Sequence, residues 1–516
     1  MKTRILYISS LMAVSLFAAS CKKDITERNQ VFEALAPANP DSTAGAWTPI
    51  LTGSSTFTLA LPDAKGTPNY TADLNEIKSY QKNLTSEQKD IIKYWSAGSV
   101  LRWNEILREL VAKHNLPPYQ NDDGTYPFPS AANPLAYPLF PFSNPPYAAR
   151  AYAYVSAAQY DALVQTFKFK YTSGYRREAP YANDANVQAL VPKSKLPSYP
   201  SEDAAVAGAT AQMMILLFPG DLDYIQKKVA EEKLYRLMAG ANTRSDWDAG
   251  ENLGKQVANV FLARARADKA NLAAGAKDDW TKLETDAKAA GNTPWISLEL
   301  PHRPPMLPLF PKVTPILMPA ADVVAIRPAA PFKEGSAEYQ KDMDEVMAMS
   351  KNYDRDHERI VAFWADGVGT ATPPGHWNSI AAEEFVKHNW SEVRWARNMA
   401  LLNMAEMDAA IVCWDTKYFY FNPRPTQMVA GIKTLTGIPN FPSYISGHAT
   451  FSGAAATVLG YLVPERATEF MTMANEAGMS RLYGAIHYRN DCTVGLATGV
   501  KVGTYAVNRA KTDGAN

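Results

Sequence analysis

The chain has 516 residues, with 52 basic and 52 acidic side chains, so its formal charge is zero. That length supports one large or two medium domains with substantial cores. The charge balance excludes the basic footprint of a nucleic-acid binder. Helix formers dominate and alternating Val/Ile/Thr runs are few, which points to an all-α chain.

In chain order, the N-terminus reads as a targeting segment. "MKTR" supplies a positive end and "ILYISSLMAVSLFAAS" an apolar stretch too short to span a bilayer comfortably. Ala18, Ala19 and Ser20 precede Cys21. This resembles a bacterial lipoprotein signal, with Ala18 standing where such signals more often carry Leu. The resemblance implies a signal peptide over 1–20, lipidation of Cys21 and export on a lipid anchor. The plainer alternative is an ordinary signal peptide with an incidental cysteine. Residues 21–46 are polar and read as a tether. No later stretch reaches spanning length, so the expected membrane attachment is the lipid anchor alone.

Two helical bundles are expected beyond the tether, over 47–290 and 291–516. Proline-rich stretches such as "PFPSAANPLAYPLFPFSNPPY" (127–147) and "LPHRPPMLPLFPKVTP" (300–315) lie between helical segments. They read as long loops packed on a helical body. Cys413 and Cys492 read as buried thiols, although export permits a disulfide.

The second bundle holds the chemistry-bearing residues. "CWDTKYFYFNPRP" (413–425) places Lys417 seven residues before Arg424, and "FPSYISGHATFSG" (441–453) contains Ser446, Gly447 and His448. "SRLYGAIHYRND" (480–491) contains Arg481, His487 and Asp491. Two guanidinium groups and an ammonium suit the oxygens of a tetrahedral oxyanion. Ser446 and Gly447 add neutral donors at an expected helix N-terminus. Asp491, four residues after His487, shares its face on a helix and can orient it. Each piece alone has a bland reading, a solvated cation or a structural histidine; the set does not.

The ordered set Lys-x6-Arg-Pro, Ser-Gly-His, Arg-x5-His-x3-Asp resembles the signature of the type 2 phosphatidic acid phosphatase (PAP2) and vanadium haloperoxidase superfamily. Ile445 stands where the signature usually has Pro. The resemblance implies that Lys417, Arg424, Ser446, Gly447 and Arg481 hold the oxygens of vanadate or phosphate. It makes His487 the axial vanadium ligand or the phosphatase nucleophile, His448 the acid/base and Asp491 the group orienting His487. Trp414 and Phe441 match positions where fungal chloroperoxidases carry Trp and Phe beside the cofactor, core packing being the alternative. In "FWADGVGTATPPGHWNSIA" (363–381), the resemblance suggests that Asp366 pairs with Arg481, while His376 reads as structural.

An internal repeat appears at an offset of 245 residues. "YISGHATFSGAAATVLGYLVP" (444–464) lies over "YPSEDAAVAGATAQMMILLFP" (199–219), and Arg481 and Asp491 fall on Arg236 and Asp246. Upstream the offset is 247, with Asp408, Lys417 and Arg424 on Asp161, Lys170 and Arg177. Asp203 and Asn242 replace the two histidines, so the first copy is expected to be scaffold. The paired-bundle length leans toward a vanadate-dependent haloperoxidase using hydrogen peroxide and halide. The alternatives are a phosphatase acting on phosphomonoesters through a phosphohistidine, with no cofactor, and a ligand-binding surface lipoprotein.

Overall fold

The computed structural model describes residues 32–116, 144–298 and 304–515. The expected signal peptide and Cys21 lie outside the described residues, as do parts of both proline-rich stretches. The described residues contain helices and no strands, and no helix among them is long and apolar enough to cross a membrane.

The site is positioned by eleven segments taken here in chain order: α1 (Ser99–His114), α2 (Pro145–Lys170), α3 (Glu202–Leu217), α4 (Leu222–Met238), α5 (Arg244–Ala267), α6 (Arg355–Phe363), α7 (Thr372–Phe385), α8 (Glu392–Tyr420), α9 (Gly447–Leu462), α10 (Ala467–Tyr483) and α11 (Arg489–Ala510). Helices α2 and α8 are the long central pair. Both are buried around almost their whole circumference, because apolar residues, chiefly Ala and Tyr in α2 and Ala, Met and Leu in α8, recur on every face instead of one stripe. Asn144 and Ser391 cap their N-termini by accepting the amides of Tyr147 and Arg394. Phe421, at φ 48°, closes α8 in the left-handed conformation.

The repeat recurs in the element boundaries. Helices α9, α10 and α11 begin 245 residues after α3, α4 and α5, and α8 begins 247 after α2. The two-residue difference falls between Arg177 and the turn at Pro180, since Arg424 is followed at once by its equivalent turn at Pro425. Buried contacts repeat as well. Asp161 accepts the amides of Ile50, Leu51 and Thr52, and Asp408 those of Ile316, Leu317 and Met318. Arg150 binds Asp268 and the Ala265 carbonyl, as Arg397 binds Asp513 and the Ala510 carbonyl.

The two copies share one body, with α2 packed lengthwise on α8. Asn403 of α8 donates to Ser156 of α2 at 2.9 Å and pairs with Asn378 of α7. Glu392 accepts the amides of Ser99 and Val100 at the start of α1. Cys413 and Cys492 are buried free thiols.

Candidate active site

Four elements deliver the site. The end of α8 and the following turn present Lys417 and Arg424, the start of α9 presents Ser446, Gly447 and His448, α10 presents Arg481, and the link into α11 presents His487 and Asp491. Lys417 is fully buried and donates to the carbonyls of Pro442 at 2.8 Å and Ser443 at 2.9 Å. Arg424 donates through Nε to the Phe441 carbonyl and through Nη1 to the Ile486 carbonyl. Both cations sit over the Phe441 ring, at 4.9 and 5.0 Å from its centroid. Trp414 packs on Phe441 with centroids 5.0 Å apart and donates its indole NH to the Met306 carbonyl. The two aromatics form the wall behind the cations and are core residues at once.

Ser446 is the N-cap of α9 and accepts the amide of Ala449. Ser446 therefore sits at the positive end of α9. Asp491 reaches His487 by a route the helix-face argument did not foresee. His487 precedes α11, and Asp491 folds back in the first turn, accepting the Tyr488 amide at 3.3 Å and His487 Nδ1 at 2.8 Å. Ser443 also donates to Asp491. With Nδ1–H committed to Asp491, the lone pair of His487 lies on Nε2, 3.3 Å from Arg424 Nη1.

The expected pairing of Asp366 with Arg481 is not present. Arg481 donates through Nη1 to the Trp364 carbonyl at 2.9 Å, whereas Asp366 is held by His376 Nδ1 at 3.0 Å and faces His448 Nε2 at 3.6 Å. His376, stacked on Trp364 with centroids 4.6 Å apart, competes successfully for the carboxylate.

Desolvation governs the electrostatics. Burial, reinforced by Arg424, Lys417 and Arg481, holds His487 well below the usual imidazole range. Burial and Arg481 bring His448 down to about 4, against the pull of Asp366. Burial lowers Arg424 to about 9 and Arg481 to about 10. Burial raises Asp366, yet its hydrogen bonds to His376 and the charge interaction with His448 outweigh this and set it at about 2. Both site imidazoles are therefore neutral near pH 7, among crowded cations that lack a buried counter-anion of equal charge.

Several polar atoms of the site have no partner. Among the described residues, Arg424 Nη2, Arg481 Nε and His448 Nε2 are buried without a hydrogen-bond partner. A buried unpaired guanidinium nitrogen is costly, and a tetrahedral oxyanion satisfies several at once. The donor set fits vanadate or phosphate.

The first copy shows the contrast. Lys170 pairs with Glu202 at 2.8 Å, Arg236 with Asp203 at 2.8 Å, and Arg177 with Asp246 at 2.6 Å. Arg236 Nε is also taken by Asn242. Its cations are neutralised internally, and Glu202, which stands where the second copy has Gly447, takes part beside Asp203. Glu202 and Ser443 are contributors that motif reading missed, and His376, read as structural, is the partner of Asp366. The 245-residue alignment exposes the first two, since Glu202 replaces Gly447 and Ser198 matches Ser443.

Residues 398–513 match the family model of the PAP2 superfamily. The fold is shared with a bacterial vanadium-dependent iodoperoxidase at 21% identity and a TM-score of 0.58, covering 83% of this chain and 97% of that one. A holo-type bacterial vanadium-dependent chloroperoxidase is similar at 12% identity and a TM-score of 0.50, covering 71% and 92%. No curated protein matches the sequence. The family-model match covers the second copy, and the all-α fold is the one shared with those two peroxidases.

Proposed function

We propose that the protein is a vanadate-dependent haloperoxidase that oxidises halide with hydrogen peroxide. The observation that carries this reading is the presence of buried guanidinium nitrogens without hydrogen-bond partners near a neutral imidazole, in a fold shared with two vanadium-dependent peroxidases. Lys417, Arg424 and Arg481 would hold the oxyanion, and the first amides of α9 would add neutral donors. His487, its tautomer held by Asp491, would offer the Nε2 lone pair to the bound group. When bound, vanadate supplies the Lewis acidity that activates peroxide toward halide. His448 takes and returns the proton at Nε2, with Asp366 facing the imidazolium it becomes.

The test is iodide and bromide oxidation by apo protein with peroxide, with and without orthovanadate. Vanadate-dependent oxidation supports the proposal. Phosphomonoester hydrolysis without halide oxidation replaces it with the phosphatase reading, in which His487 attacks phosphorus and His448 protonates the leaving oxygen.

Export and anchoring through Cys21 belong to the same proposal, supported by the small residues before that cysteine. Metabolic fatty-acid labelling lost in Cys21→Ser is the expected result; label retained in that variant refutes lipidation.

A further inference from the structure

The first copy keeps a cavity at the place that corresponds to the site of the second. It measures about 300 Å³, and its lining includes Ser198, Asp203, Arg236 and Asn242. These stand 245 residues before Ser443, His448, Arg481 and His487. Leu35 and Pro37 of the N-terminal segment and Glu392 at the start of α8 also line it. A cavity of that volume admits a small organic molecule.

Its charges do not balance. Glu202 and Asp203 are more than nine-tenths buried. With Glu232 and Glu392, both of which feel the charge of Asp203, they make four carboxylates for the two cations Lys170 and Arg236. Three of the four have their partners: Glu202 the Lys170 ammonium, Glu232 Ser99 Oγ and Trp103 Nε1, and Glu392 the amides of Ser99 and Val100. Asp203 is less well served. Among the described residues its one ion pair is Arg236 Nη1 to Oδ2 at 2.8 Å, and Oδ1 has no partner. Burial raises Asp203 to about 6 against the pull of Arg236, and burial with Asp203 nearby raises Glu392 to about 8.

The rest of the lining suits an organic cation. Phe167, Tyr181 and Tyr235 contribute apolar surface and ring faces. Among the described residues no three His, Cys, Asp or Glu side chains are placed to hold a metal ion. Lys193 and Lys195 also line the cavity, but both are exposed, where solvent and salt screen them. We infer that this cavity binds a small organic cation, a primary ammonium on an apolar body, with Asp203 Oδ1 accepting its N–H. The inference does not depend on what the second copy binds.

Calorimetric titration of the full chain with 2-phenylethylamine, and with 2-phenylethanol as its neutral counterpart, tests this without relying on turnover. The amine is expected to bind at least about tenfold more tightly than the alcohol, the scale of one charge-assisted hydrogen bond. Its affinity is expected to rise between about pH 5 and 8. Over that range the ammonium stays charged, while Asp203 and Glu392 release protons as it arrives. Asp203→Asn is expected to weaken the amine about tenfold and to leave the alcohol unchanged. If that variant does not fold, the alcohol comparison and the wild-type pH series decide. Absence of amine binding by the wild type overturns the inference, as do equal affinities for amine and alcohol or an affinity that is flat with pH. Undiminished amine binding by folded Asp203→Asn overturns it too.

Discussion

At the residue scale, the two histidines of the site differ in what holds them. His487 has a committed Nδ1 and an Nε2 that meets Arg424, whereas His448 Nε2 has no hydrogen-bond partner and faces a carboxylate. His487→Ala is therefore expected to lose vanadate retention, while His448→Ala retains vanadate and loses most turnover. Equilibrium dialysis beside steady-state halide oxidation separates the two. The cations impose a pH dependence of their own. Burial, with Arg424 beside it and against the pull of Cys413, brings Lys417 down to about 7. Below that pH its ammonium is already charged and oxyanion binding is at full strength. Above it, binding must take up a proton, so affinity is expected to fall by up to about tenfold per pH unit. Sulfate, whose charge is constant in this range, is the probe for a titration from pH 6 to 8. Lys417→Met should flatten the curve, and a flat wild-type curve would show that the Lys417 proton does not govern affinity.

At the scale of elements, the site depends on how closely α9 and α11 cross. A Cβ on Gly499 would lie 2.1 Å from the Thr450 carbonyl oxygen, and one on Gly254 would lie 2.2 Å from that of Ala205 in the first copy. Gly499→Val and Gly254→Val are both expected to cost roughly 1–3 kcal/mol or more, measured by denaturant unfolding. Only Gly499→Val should also impair oxyanion binding, because α9 carries Ser446 and His448. The lysines at the ends of α2 and α8 give a parallel comparison. Lys170 is already paired with Glu202, so Lys170→Ala should leave halide oxidation within a few-fold, whereas Lys417→Ala should abolish most of it. Comparable activity losses from these two changes would mean that the active copy has been misassigned.

For the whole molecule, the question is whether the two copies are separable. The α2–α8 pairing buries residues of α8 from Val393 to Tyr418 almost without interruption, and the polar contacts across it, Asn403 to Ser156 and Glu392 to the start of α1, are buried or partly so. Cutting between the copies would expose that helix. One cooperative calorimetric transition is therefore expected for the body, with the calorimetric and van't Hoff enthalpies in agreement. Two resolved transitions would show that the copies fold independently.

The all-α class, the repeat and the ordered set of Lys417, Arg424, Ser446, Gly447, His448, Arg481, His487 and Asp491 were legible in the sequence. Helical composition, offsets and residue types are properties of the chain itself, and a duplicated segment keeps its register wherever it packs. Partner choice was not legible. The Asp491–His487 bond was foreseen from their spacing, but it forms by helix capping, because the chain turns into α11 only after His487. Asp366 binds His376 instead of Arg481 because stacking on Trp364 places the imidazole first. The closed and open copies differ by which carboxylates reach the cations. Glu202 and Asp203 neutralise one set, whereas Gly447 and His448 leave the other available. Those contests are decided by distances of a few ångströms between groups far apart in the chain, where burial magnifies every pairing. The sequence by itself thus determined which charges the protein possesses, and the tertiary structure decided which of them remain free.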